Sequence, residues 1–100
     1  MKLNDKVAVV TGGSRGIGKA IAHRLAQEGC DLLLVAQTQT NLDATSEEIA
    51  STGRRVETCA TDFRTLEGCK AAHNGLELTY GRVDILVNCA GATKGGLFVD

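Results

Sequence analysis

Four short strand-like runs alternate with helical segments along the whole chain, and that alternation restricts the fold more than any other feature. The runs are Val7 to Thr11, Leu32 to Ala36, Arg55 to Ala60 and Val83 to Val87. Between them lie segments with helical periodicity: Ile17 to Glu28, Leu42 to Thr52 and Leu66 to Tyr80. Strands that each reach the next through a helix cannot pair as hairpins, so the pattern predicts a parallel sheet with crossover helices. The first run, Val7-Ala8-Val9-Val10, is apolar at every position, as in a strand covered on both faces. Right-handed crossovers then predict the strand order 3-2-1-4, with a reversal between strands one and four.

The helix ends are marked. Gly29, Gly53 and Gly81 follow the three helical segments as stop signals, and Thr65 stands at the N-cap position of the third. Ile17, Ile21 and Leu25 recur at helical spacing in the first. Gly68 and Gly75 lie inside the third helix, each costing about 1 kcal/mol relative to alanine, so its middle is the weakest segment. The 100 residues contain no proline, repeat or linker and read as one small domain, 1–100.

Composition narrows the class. The net charge is −1 with acidic and basic residues interspersed, which gives no basic stripe for nucleic acid and no face for a membrane surface. No apolar run reaches the length of a membrane span, and the N-terminus lacks a signal-peptide core, so a cytoplasmic protein is expected. The four cysteines, Cys30, Cys59, Cys69 and Cys89, form no C-x-x-C pair, and neither histidine lies at ligand spacing from one. They read as structural thiols, and no metal site is expected. His23 and His73, on helices among polar neighbours, read as solvated.

Residues 11 to 18, Thr-Gly-Gly-Ser-Arg-Gly-Ile-Gly, join the first strand to the first helix. Glycine lets a backbone bend sharply and approach a ligand, while a helix start offers free N–H groups and a positive dipole end to an anion. The segment is therefore a phosphate site. The spacing G-x-G-x-x-G fails because Ile21 stands where the third glycine belongs. The pattern G-x-x-x-x-G-K-[ST] runs through Gly13, Gly18 and Lys19 but ends on Ala20, which has no hydroxyl for a magnesium ion. T-G-x-x-x-G-x-G fits on Thr11, Gly12, Gly16 and Gly18. Asp62 follows the third strand, and Asn88-Cys89-Ala90-Gly91 closes the fourth.

In these three motifs, in this order and each at a strand's C-terminal end, the chain resembles the short-chain dehydrogenase/reductase family. The resemblance implies a Rossmann-like α/β sheet and a dinucleotide laid across the crevice at the strand reversal. Gly12, Gly16 and Gly18 would admit the pyrophosphate, with Ser14, Arg15 and Ile17 lining the turn. Thr11 would either tie the turn together through its hydroxyl or simply end the strand. By the same resemblance Asp62 accepts from the adenine amino group, Phe63 continues the adenine wall, and Asn88, Ala90 and Gly91 pass the nicotinamide-side ribose. Cys89 replaces the family's second asparagine, which removes any contact that needs that amide.

The cofactor choice turns on Gln37 and Thr38 after the second strand. An NAD site wants a carboxylate there to hold the ribose 2′-OH, and the first acid is Asp43, inside the second helix. Arg15 adds a cation suited to a 2′-phosphate, although the basic residue many NADP users carry at position 37 is missing. The balance favours NADP(H), with NAD the alternative.

Tyr80 does not fit the family's Tyr-x-x-x-Lys motif, because Asp84 stands four residues on; it reads as a helix-end packing residue. Lys94 reads as a loop charge near the substrate opening. The family's catalytic serine, tyrosine and lysine lie beyond the fourth strand, so no catalytic residue is expected within 1–100. The chain reads as the cofactor-binding front part, truncated, of a reductase that interconverts a carbonyl and an alcohol, the full-length parent being a homo-oligomer. The alternatives are a dinucleotide-binding module without chemistry and a P-loop phosphate enzyme, the latter opposed by Ala20. With strand four at a sheet edge, apolar on both faces, the 100 residues alone should be marginally stable.

Overall fold

The computed structural model describes residues 3–12, 16–62 and 65–89. The elements follow in the order β1 (Val7–Thr11), α1 (Gly16–Gln27), β2 (Asp31–Ala36), α2 (Gln39–Ala50), β3 (Val56–Ala60), α3 (Leu66–Thr79) and β4 (Ile85–Asn88). The strands form one four-stranded sheet in the order β3-β2-β1-β4, with every pairing parallel, as the crossover argument requires.

The alternation of side chains along the strands divides the core into two layers. On one face Ala8 and Val10 of β1 and Leu32 and Leu34 of β2 meet Ala22 and Ala26 of α1 and Leu42 and Ile49 of α2. On the other, Val9, Leu33 and Val35 meet Ala72 of α3, with Cys59, Leu76 and Tyr80 packed around them. Among the described residues two helices cover the first face and one covers the second. The remainder of the second face is a groove of about 220 Å³ between α3 and β4, lined by Val9, Leu33, Ala72, Leu76, Val83 and Leu86. Leu86 on the edge strand is 61% exposed.

Several boundaries and faces differ from expectation. α2 starts at Gln39, three residues before Leu42, because Thr38 is already extended at the N-cap and the first turn is polar throughout. β4 starts at Ile85 instead of Val83. Asp84 precedes it with its N–H donating to the Val7 carbonyl (2.8 Å) and its carboxylate accepting from the Val7 N–H (2.8 Å). The buried face of α1 is Gly18, Ala22 and Ala26, whereas Ile17 is 76% exposed and Ile21 and Leu25 are half-buried. Small residues at four-residue spacing let the helix axis settle close on the sheet, which branched side chains would prevent. α3 runs unbroken through Gly68 and Gly75, capped at its start by Thr65, whose hydroxyl accepts from the Gly68 N–H. His23 is half-buried, contrary to its reading as solvated. His73 is exposed, with its imidazole 3.9 Å from the Glu77 carboxylate.

Tyr80 ends α3 as a packing residue. Its phenol donates to the Leu32 carbonyl (2.7 Å), and the Arg55 guanidinium lies over its ring at 5.0 Å. Burial pushes the phenol's pKa up. Burial likewise raises the Cys30 and Cys59 thiols. Among the described residues no helix is long and apolar enough to cross a membrane, and no cluster of three metal-binding side chains occurs.

Candidate functional site

The register of the sheet brings the sequence motifs together. Val35 pairs with Thr11 on one side and Cys59 on the other, and Thr11 pairs with Asn88, so the four strands end level. The chain leaves this edge at Gly12 from β1, Gln37 from β2, Thr61 from β3 and Cys89 from β4. Three main-chain bonds continue the ladders past the strand ends: Gly12 N–H to Val35 (2.7 Å), Thr61 N–H to Ala36 (2.8 Å) and Cys89 N–H to Thr11 (3.1 Å). The glycine turn therefore lies between the segment that carries Asn88 and the segments that carry Gln37 and Asp62, at the strand reversal.

The turn itself needs glycine. Gly12 has φ 73° and Gly16 has φ 56°, a backbone region that side chains with a Cβ rarely enter. Gly18, two residues into α1, is buried. The exposed side chain of Ile17 presents an apolar surface at the mouth of the turn.

Thr11 decides between its two readings. Fully buried, it sends its hydroxyl across the β1–β4 boundary to the Asn88 Oδ1 (2.8 Å), with the Val87 carbonyl further off at 3.4 Å. It links two motifs that are separated in sequence and adjacent in the sheet. With Oδ1 accepting from Thr11, the Asn88 side chain is tied to the end of β1, and its amide N–H groups remain donors. Gln37 and Thr38 are exposed past the end of β2, and the Gln39 side chain reaches both Asp43 (2.8 Å) and Thr58 (3.3 Å). Asp43 is thereby held on the body of α2 instead of at the end of β2. Asp62 is half-buried beyond β3. Ser14, Arg15, Phe63, Ala90 and Gly91, as well as Gly13 and Lys94, lie outside the described residues.

Two residues were not legible as contributors to this edge. In the sequence Thr65 is a helix cap and Gly68 a weak point of the helix, yet both hold the segment that carries Asp62. Thr65 donates to the Asp62 carbonyl through its N–H (3.1 Å) and its hydroxyl (3.0 Å). Nothing in helical periodicity reports such a contact, because it depends on where the preceding loop returns.

A doubly wound parallel sheet with a glycine turn at its strand reversal is the architecture of nucleotide-binding α/β proteins. The family model described as short chain dehydrogenase matches residues 6–100, and the chain belongs to that family. It is 44% identical over 92 residues to an uncharacterized oxidoreductase of Mycobacterium tuberculosis, a match that spans 92% of this chain and 35% of that protein. L-sorbose reductase from Gluconobacter frateurii, solved with NADPH and L-sorbose, superposes with a TM-score of 0.89 at 38% identity over 97% of this chain and 38% of its own. A metagenomic short-chain oxidoreductase solved with NADP gives a TM-score of 0.80 at 38% identity, over 86% of this chain and 39% of its own. The chain thus spans little more than a third of the length of these relatives.

Proposed function

We propose that this chain is the cofactor-binding part of an NADP(H)-dependent oxidoreductase that interconverts a carbonyl and an alcohol in the cytoplasm. The observation that carries the reading is the Thr11–Asn88 bond, because it fastens the glycine turn to the β4 corner at one edge of the sheet. Gly12, Gly16 and Gly18 take the pyrophosphate on the turn and the α1 N-terminus, with Ser14, Arg15 and Ile17 around it. Asp62 and Phe63 hold the adenine end, and Asn88, Ala90 and Gly91 the nicotinamide-side ribose. Gln37 and Thr38 receive the 2′-substituent. The bound dinucleotide supplies or accepts a hydride, while this part of the chain binds and orients it.

NADP is favoured over NAD by the lack of a carboxylate at the end of β2, by the anchoring of Asp43 on α2, and by Arg15 in the turn. The structures solved with NADPH and NADP support the same choice. The reading is tested by titrating NADPH and NADH and by assaying turnover of a panel of ketones with the full-length enzyme. Arg15→Ala should reduce the preference for NADPH over NADH; an unchanged ratio refutes the role given to Arg15. Binding of NADPH without turnover of any carbonyl would favour a dinucleotide-binding module.

A further inference from the structure

The geometry points to Gly68, acting with Thr65, as a positioning residue for Asp62 and hence for the adenine end of the cofactor. This rests on the reading of Asp62 given above. A relay of hydrogen bonds runs from the Gly68 N–H to the Thr65 Oγ1 (2.9 Å) and from that hydroxyl to the Asp62 carbonyl (3.0 Å). The Thr65 N–H donates to the same carbonyl (3.1 Å). The main chain of Asp62 is thus drawn onto the first turn of α3, and the space it occupies exists only because position 68 has no side chain. A Cβ on Gly68 would overlap both the carbonyl oxygen and the carbonyl carbon of Asp62. These are backbone atoms between a strand end and a helix start, which cannot swing aside as the tip of a long side chain can.

Gly75, on the same helix, separates this role from helix propensity. A Cβ there would meet nothing within 4 Å, so glycine at 75 serves no close approach. Alanine is the better helix former at both positions. At position 75 it should be accepted freely. At position 68 it must push away either the Asp62 peptide or the first turn of α3, and either movement redirects the Asp62 carboxylate.

The test uses the full-length enzyme and two ligands: NADPH, which carries adenine, and reduced nicotinamide mononucleotide, which does not. Gly68→Ala should weaken NADPH binding by about tenfold, the effect of losing one hydrogen bond to a charged group, and leave the mononucleotide's affinity unchanged. Asp62→Ala should show the same split, and Gly75→Ala should change neither affinity. A Gly68→Ala protein that binds NADPH within about twofold of wild type overturns the proposal, as does one that loses both ligands equally. If Asp62→Ala shows no split, the adenine reading fails and the proposal falls with it; if only Asp62→Ala shows it, the proposal alone fails. Should Gly68→Ala not fold, Thr65→Val must produce the split and Thr65→Ser must restore wild-type affinity, and failure of either overturns the assignment.

Discussion

Replacing Thr11 with valine removes one hydroxyl and keeps the β-branched shape that a fully buried strand position needs. The lost contact is the 2.8 Å bond to the Asn88 Oδ1, the cross-strand link between the glycine turn and the end of β4. An intramolecular hydrogen bond of this kind contributes about 0.5–1.5 kcal/mol net, and a buried group left unsatisfied costs more. Here the donor disappears and the acceptor belongs to an exposed residue at the sheet's edge, so water can replace it. The loss should therefore be about 1 kcal/mol. Denaturant unfolding of wild type, Thr11→Val, Asn88→Ala and the double variant isolates the pair, with an expected coupling of at least about 0.5 kcal/mol. The same variant should weaken NADPH binding if Asn88 serves the cofactor, because its side chain loses the partner that ties it to β1. A coupling of zero, with Thr11→Val costing the same whether or not Asn88 is present, would show that the bond does not fasten the two motifs together.

Other substitutions separate core from site. Ile49→Ala opens a cavity beneath α2 and should cost about 2–5 kcal/mol, whereas Ile17→Ala should leave stability within about 0.5 kcal/mol, since its side chain lies in solvent. Ala22→Leu overfills the close contact of α1 with the sheet and should destabilise by about 1–3 kcal/mol in thermal or denaturant melts. The Val7 N–H, with Arg82 beside it, holds the Asp84 carboxyl below the usual carboxylate range. Its contribution is therefore complete above the ordinary carboxylate pKa and lost as pH falls through the lowered value, so Asp84→Asn should flatten the acid limb of the stability curve below about pH 4. Residues 1–100 produced alone should bind an apolar dye at the groove beside Leu86, and Leu86→Lys should reduce that binding; a sharp cooperative melt without dye binding would contradict marginal stability.

The lapses in the sequence reading have physical causes. The start of α2 is not visible in the sequence because Gln39, Thr40 and Asn41 are polar and carry no apolar period, although the helix begins directly after the extended Thr38. In α1 the large apolar residues at helical spacing, Ile17, Ile21 and Leu25, mark the helix, while its buried face is Gly18, Ala22 and Ala26, because the tightest contact with a sheet belongs to small residues. Gly68 was read as a local penalty because the compensating contact comes from a loop that sequence spacing cannot aim.

The order of strands and the gathering of three motifs at one edge were already determined by the residues alone. Alternating strand and helix patterns with right-handed crossovers leave few topologies, and strands entered from the same end must finish on the same side. What only the folded chain decided was which atoms touch at that edge: the Thr11 hydroxyl on Asn88 across two strands, and the Asp62 carbonyl against Thr65 and Gly68 at the start of α3. Periodicity specifies which face a residue takes. The Thr11–Asn88 contact depends on how closely two strands 77 residues apart approach, and the Asp62–Thr65–Gly68 contacts depend on the path by which the chain enters α3; neither follows from periodicity.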